Sequence, residues 1–264
     1  MNIIEVTNLV KKFGDFTAVD DATFSVKRGE IFAFLGPNGA GKSTTIKMLT
    51  TLLKPTGGTI TLDGKDPQYD QDGARTMFGI VFQDPSLDDE LTAQENMELH
   101  GVMYSVPRDL RHKRTKEMLG FVELWDRKDD LVKTFSGGMK RRLEIARGLL
   151  HHPKILFLDE PTIGLDPQTR NHIWSYIQRL NRDEGMTIFM TTHYMEEADK
   201  VASTVAIIDQ GKIVARGSVA EIKARTNKSS LEEAFLSLTG HAIREEEGSS
   251  KDTMRQMHRK MWRR

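Results

Sequence analysis

The run Gly36-Pro37-Asn38-Gly39-Ala40-Gly41-Lys42-Ser43 fits the pattern G-x-x-x-x-G-K-[ST], and no other stretch restricts this chain as strongly. The pattern carries weight only between a strand and a helix. Both flanks are present: Ile31-Phe32-Ala33-Phe34-Leu35 is an apolar strand, and Lys42 to Leu53 has a helical pattern. Glycines at 36, 39 and 41 let successive backbone N–H groups curl around phosphate oxygens with no Cβ in the way. The helix starting near Lys42 turns its positive end toward the same anion. Lys42 is therefore expected to reach the β- and γ-phosphates, and the Ser43 hydroxyl to ligate magnesium. The rival glycine fingerprint G-x-G-x-x-G is absent, which disfavours a dinucleotide fold.

A second apolar strand, Ile155-Leu156-Phe157-Leu158, ends in two adjacent carboxylates, Asp159 and Glu160. Neighbouring side chains at a strand end point different ways. One carboxylate can then serve a magnesium shell while the other faces an attacking water, and Asp159 is assigned to the metal and Glu160 to the water as general base. Acidic residues after strands are common in loops, so this signal gains force only beside the phosphate loop. Together the two specify hydrolysis of a nucleoside triphosphate.

A third signal is Phe135-Ser136-Gly137-Gly138-Met139-Lys140-Arg141-Arg142. Ser136 is a good helix N-cap, Gly137 and Gly138 leave their amides bare, and Met139, Leu143, Ala146 and Leu150 recur at helical spacing. The residues alone fit either a second anion-holding helix N-terminus or an ordinary capped amphipathic helix. Arg141, Arg142 and Arg147 read as a solvated helix face rather than a nucleic-acid patch.

Around these motifs the chain alternates strand and helix. Residues 3–35 read as strands, Thr59-Ile60-Thr61-Leu62 and Phe78–Phe82 as further strands, and 92–150 as a helical block. Beyond it come a strand at 155–158, a helix at 167–182, a strand at 187–191, a helix at 194–201 and strands at 205–209 and 212–215. That order predicts an α/β fold on a largely parallel sheet, interrupted by a helical insertion. Ser229 and Ser230 before Leu231-Glu232-Glu233 predict a short capped helix ending at Gly240. The expected organisation is one domain over 1–240, with its helical part at about 92–150, and a charged tail over 241–264.

Composition closes other routes. Thirty-eight Lys and Arg balance 38 Asp and Glu, so no global charge draws the chain to nucleic acid, and none is expected as a partner. With no cysteine, disulfides, zinc knuckles and thiol nucleophiles are excluded. No apolar run approaches the roughly 18 residues of a membrane helix, and Met1-Asn2-Ile3-Ile4-Glu5 does not begin a signal peptide, so the expectation is a soluble, cytoplasmic protein. In the tail, Met254, Met257, Met261 and Trp262 recur near helical spacing among Arg255, Arg259, Lys260, Arg263 and Arg264. This suits a basic amphipathic segment touching an anionic membrane or a partner, against the plainer alternative of a disordered tail.

Taken together, these residues resemble the nucleotide-binding subunit of an ATP-binding-cassette (ABC) transporter over roughly 3–240. Gly36 to Thr44 matches the Walker A loop, including Asn38, Gly39, Ala40, Gly41, Lys42, Ser43 and Thr44. Gln83 matches the Q-loop, Ser136 to Met139 the signature, and Asp159 and Glu160 the Walker B end. Gly164-Leu165-Asp166-Pro167 matches the D-loop, and His193 after Thr191-Thr192 the switch histidine. The Phe-Ser-Gly-Gly-Met signature followed by Lys-Arg-Arg-Leu-Glu-Ile-Ala-Arg is similar to the drug-resistance type of exporter ATPase, such as those for daunorubicin and doxorubicin. It departs from the family pattern at Met139, where glutamine is usual, and at Phe135, where leucine is usual; Ser136, Gly137 and Gly138 are intact, and what Met139 puts in doubt is a polar contact to the ribose.

The resemblance implies a P-loop NTPase core with an N-terminal antiparallel β subdomain and a helical insertion, using ATP and Mg2+. It implies a head-to-tail homodimer with each ATP between the Walker A loop of one copy and the signature of the other, and a separate transmembrane permease docked near 92–150. Glu160 would orient or deprotonate water, His193 would contact the γ-phosphate, and Gln83 would touch magnesium or the lytic water. Asp166 would link the two sites, and Phe13 would stack on adenine unless it fills the strand core. Gln83 as a surface turn residue and His193 as a helix cap are the plainer alternatives. A soluble, non-transport ABC ATPase acting on DNA or the ribosome is the competing function. It is disfavoured by a single Walker A, a single signature and no heptad run, and a small GTPase by the lack of N-K-x-D.

Overall fold

Strands buried on both faces read as unbroken apolar runs, and three such runs in this chain lie side by side at its centre. The computed structural model describes residues 1–240. Its main sheet has six strands in the order β5-β6-β7-β3-β8-β9: β3 (Ile31–Leu35), β5 (Phe78–Val81), β6 (Ile155–Asp159), β7 (Thr187–Thr192), β8 (Thr204–Asp209) and β9 (Lys212–Gly217). All neighbours pair parallel except β9, which runs antiparallel to β8. A three-stranded antiparallel sheet, β2-β1-β4, joins the long hairpin β1 (Asn2–Phe13) and β2 (Phe16–Lys27) to β4 (Gly57–Leu62).

The period-two alternation of strand side chains divides the core. Phe32 and Phe34 of β3, Ile155 and Phe157 of β6 and Phe189 of β7 face the antiparallel sheet and α1 (Lys42–Leu49). Ile31, Ala33 and Leu35, Leu156 and Leu158, and Ile188 and Met190 face the opposite layer, against α5 (Gly137–Leu149), α6 (Pro167–Glu184), α7 (Met195–Val201) and α9 (Leu231–Thr239). On the first side, Phe24, Phe32, Phe34 and Phe189 pack with ring centroids 5.3 to 6.0 Å apart, a spacing favourable for aromatic contact. The site therefore rests on strands that neither slide nor tilt cheaply.

The segment 92–150 contains α3 (Ala93–Met103), α4 (Arg108–Phe121) and α5, with their own core of Met97, Leu119, Val122, Val132, Leu143 and Leu150. α3 starts in a capping box between Thr92 and Glu95. α9 begins at the N-cap Ser230 and ends at Gly240, as its flanking residues predict.

Several elements differ from expectation. α1 ends at Leu49 rather than Leu53, because Thr51 takes a left-handed conformation (φ 63°) that no helix can continue. The short α2 (Gln71–Arg75) and α8 (Val219–Thr226) carry too few apolar positions to register as periodic, although a Ser218–Glu221 capping box marks the start of α8. Among the described residues no helix is long and apolar enough to cross a membrane. The basic amphipathic reading of 251–264 lies outside the described residues.

Candidate functional site

In an open parallel sheet the groove beyond the carboxyl ends of the strands is the natural ligand site. β3, β5, β6 and β7 all deliver motif residues to that edge. β3 runs into the loop 36–41 and then α1. Gly41 sits at φ 110° with the Ala18 carbonyl 2.6 Å from where a Cβ would be, and a Cβ on Gly36 would stand 2.4 Å from the Ile208 carbonyl. Only glycine lets the loop pass there. Asn38 and Gly39 are exposed at its tip, Ala40 is buried beneath it, and Thr44 is half-buried in the first turn of α1. Lys42 folds back into the loop, donating from Nζ to the carbonyls of Gly36 (2.7 Å) and Pro37 (3.3 Å).

The paired carboxylates do point apart. Asp159 Oδ1 accepts from Ser43 Oγ (3.2 Å) and Thr191 Oγ1 (2.6 Å), which binds β6 to the phosphate loop on one side and β7 on the other. Glu160 instead turns to β7: His193 Nδ1 lies 2.7 Å from its Oε2, the His193 backbone N–H donates to the same oxygen at 3.3 Å, and Lys42 Nζ is 3.6 Å from Oε1. Glu160 adopts φ 52°, held there by its N–H donating to both the Thr191 side chain and carbonyl. A strained non-glycine backbone so over-determined is typical of functional positions.

The electrostatics follow from burial. Lys42, Asp159 and Glu160 are 6%, 4% and 6% exposed. Desolvation pulls the Lys42 ammonium down, opposed by Glu160 and Asp159, and pushes the Asp159 carboxyl up against the hydrogen bonds from Thr191 and Ser43. Burial pushes Glu160 up as well, but the His193 hydrogen bond and the charges of Lys42 and His193 outweigh it and hold Glu160 below the usual carboxylate range. Two neighbouring carboxylates are thus driven in opposite directions, one poised to welcome a cation and the other kept ionised.

His193 is not a helix cap; Tyr194 takes the N-cap position of α7 and makes no side-chain cap bond. Behind it lies a group that the motifs do not reveal. Buried Glu197 accepts from Thr162 Oγ1 (2.7 Å) and Thr192 Oγ1 (3.0 Å), with Arg170 Nε 3.4 Å away, tying the loop after β6 to the end of β7. The role of Thr191 is equally invisible in sequence, since a buried threonine in a strand has no signature of its own.

The remaining motif residues make no hydrogen bond to Lys42, Ser43, Asp159, Glu160 or His193. Phe13 closes the β1–β2 hairpin at 49% exposure with Lys11 Nζ 5.0 Å from its ring centre, so it is not a core residue. Gln83 is exposed in a bend after β5. Asp166 caps α6, accepting from the N–H of Gln168 and Thr169 and from Thr169 Oγ1 (2.6 Å). Ser136 caps α5 through Met139 N–H at 3.2 Å, and Ser136 and Gly137 face solvent. None of the hydrogen bonds of Ser136, Asp166 or Gln83 reaches residues 36–44. The arginines of α5 correct an expectation: Arg141 is 5% exposed and sits in an ion pair with Glu144, so it belongs to the interior and not to a solvated face.

A glycine loop closed by a buried lysine, a carboxylate bonded to Ser43 and an ionised carboxylate paired with histidine thus meet at one strand edge. The ABC transporter family profile matches residues 19–163, over half of the chain. The chain belongs to the ABC transporter family. It is similar to the linearmycin resistance ATP-binding protein LnrL of Bacillus subtilis, at 42% identity across 89% of this chain and 78% of that protein. It is equally similar to the daunorubicin/doxorubicin resistance ATP-binding protein DrrA of Streptomyces peucetius, at 42% identity across 84% of this chain and 67% of that protein. Among solved structures, the dimeric ATP-binding cassette MJ0796 bound to ADP and Pi aligns with a TM-score of 0.73 and 29% identity, over 81% of this chain and 98% of that one. This ABC protein is the ATP-binding subunit of a transporter and hydrolyses ATP.

Proposed function

We propose that this ABC ATPase energises an exporter of a drug or other small hydrophobic molecule, closing as a head-to-tail dimer around ATP while docked on a separate membrane permease at the cytoplasmic face. The observation that carries the reading is a contrast in burial between two sets of motif residues. The phosphate loop, Asp159, Glu160 and His193 would form half of a phosphate cage, whereas the capped N-terminus of α5 leaves Ser136 and Gly137 exposed to solvent. Two copies related by a twofold axis would complete two cages, and the dimeric state of the MJ0796 cassette supports that arrangement. The resistance functions in the names of LnrL and DrrA support the cargo class.

In this reading the amides of Gly36 to Thr44 bind the triphosphate of ATP, Lys42 exchanges its loop carbonyls for β- and γ-oxygens, and Phe13 offers its exposed ring to adenine. Ser43 and Asp159 fit magnesium, being hard oxygen donors already 3.2 Å apart, with Gln83 as a further oxygen from the loop after β5. Bound there, the ion would neutralise charge on the transferring phosphoryl group. Glu160 orients or deprotonates water, and His193 holds Glu160 in place and faces the γ-phosphate. Ser136, Gly137 and Gly138 reach the ATP of the opposite copy, and Asp166 lies beside them to relay between sites. Residues 1–240 act as the ATPase domain and 241–264 as an appended tail, with membrane contact assigned to that tail alone.

The permease surface is placed on 92–150, where α3 exposes Leu99, Val102 and Met103 at 52%, 55% and 72%. Co-expression of this chain with a candidate membrane permease tests the reading. The expected result is co-purification of the two and lowered cellular accumulation of daunorubicin, lost in Lys42→Ala. Failure to co-purify together with unchanged accumulation would contradict it.

A further inference from the structure

The loop that carries Gln83 is not free to follow its own path. Three side chains of α5, spaced i, i+3 and i+6 along one stripe, take hold of it. Arg141 donates to the Phe82 carbonyl and, at 3.1 Å, to the Gln83 carbonyl, and its Nη1 also pairs with Glu144 Oε2 at 3.2 Å. Glu144, 1% exposed, accepts from the Ser86 N–H at 2.8 Å. Arg147 donates to the Ser86 carbonyl at 2.7 Å and to the Ser86 hydroxyl. Pro85, between them, has no N–H to offer. The backbone from Phe82 to Ser86 is thereby pinned at both ends to the helix whose first turn is Gly137-Gly138, while the Gln83 side chain itself is exposed and uncommitted.

Such an arrangement is costly if only stability is wanted. A buried arginine–glutamate pair commonly contributes no more than apolar residues of the same size would. What it supplies is geometry: a planar fork can grip two successive carbonyls and a carboxylate at once, and an ammonium cannot. We propose that Arg141, held by Glu144, is a positioning residue that acts through Gln83, locking the loop of Gln83 to the signature helix so that the two move as one body when the ATP site closes. Gln83 at the ATP of its own copy and Ser136 to Gly138 at the ATP of the opposite copy then cannot reach their working positions separately. The inference rests on the proposed role of Gln83 at the site.

A double-mutant cycle in the full-length protein tests it, reading kcat, KM and Mg·ATP affinity. Arg141→Lys keeps the charge and loses the fork; a misplacement of Gln83 by a fraction of an ångström is expected to lower kcat on the order of tenfold. KM and Mg·ATP affinity are expected to stay within about twofold, because the phosphate loop, Ser43 and Asp159 are untouched and a small displacement of Gln83 leaves the ion its other donors. In a Gln83→Ala background the same substitution should have no further effect, since a residue acting through Gln83 has nothing left to position. The double replacement Arg141→Met with Glu144→Met, which leaves no buried unpaired charge, should reproduce the kcat loss and its disappearance beside Gln83→Ala. Losses that multiply across the cycle, or an unchanged kcat in both fork variants, would overturn the proposal. An unchanged kcat in Gln83→Ala alone would instead overturn the role of Gln83.

Discussion

Two helix N-termini in this molecule are proposed to meet phosphate, and they are built differently. The one at Lys42 is enclosed: its lysine is buried, its loop is wedged against Ala18 and Ile208, and Ser43 is bonded to Asp159 across from it. The one at Gly137 is more open, with a side-chain cap from Ser136, Ser136 and Gly137 exposed, and Thr169 of its own chain packed against Gly138. The enclosed end carries charges whose ionisation the fold controls; the open end carries only amides. That asymmetry suits the proposed site shared between two copies, because the half that holds the chemistry keeps its charged groups organised before the partner arrives and the other half must be free to leave.

The comparison breaks most visibly at Glu160. Glu160→Gln should lower kcat about 10²–10⁴-fold, the usual worth of a positioned acid–base group, while nucleotide affinity persists. Steady-state phosphate release against Mg·ATP titration checks both, and retained turnover would remove Glu160 from the mechanism. Next comes the enclosed end itself. Lys42→Ala deletes charge-assisted bonds to the triphosphate and should weaken ATP binding about 10- to 100-fold, read by fluorescent-nucleotide titration. Equal binding would mean that the loop amides alone hold the anion.

The pH dependence sharpens the same contrast. Glu160 is held below the usual carboxylate range, so it stays ionised, and the acidic limb of kcat should fall below the ordinary titration of glutamate near pH 4.3. Removing the hydrogen bond in His193→Ala leaves burial opposed by less, so the Glu160 carboxyl rises and the limb of the residual activity moves to higher pH. Stability follows the same sign: the contribution of a depressed carboxyl is present above its unfolded value and is lost as pH falls through the folded one. A limb that stays in place would show that His193 does not set the ionisation of Glu160. The smallest effect belongs to the open end. Ser136→Ala removes one N-cap worth about 1 kcal/mol, a fall of about 2–4 °C in Tm for a domain of this size, with no change in ATP affinity.

The two ends were also unequally legible in sequence. The enclosed end could be read because its constraints are local: glycines, a lysine and a serine at fixed spacing after an apolar strand, and two carboxylates ending another. Helix boundaries and partners that depend on distant residues could not. The helix after the phosphate loop stops at Leu49 because Thr51 turns left-handed, which no periodicity foretells. Arg141 reads as an exposed cation by type and turns out buried because a carboxylate three residues on and two carbonyls nearly sixty residues away satisfy it. Thr191 and Glu197 join the site only through the pairing of β6 with β7 and the packing of α7, which are facts of topology.

The central claim is that the open end at Ser136 completes the enclosed end of a second copy. Sedimentation of Glu160→Gln saturated with Mg·ATP measures this directly, with and without Ser136→Arg in the same chain. The expected result is an ATP-dependent dimer that Ser136→Arg abolishes while each monomer still binds nucleotide. A species that remains monomeric at high concentration with ATP bound, or a dimer indifferent to arginine at position 136, would contradict the account.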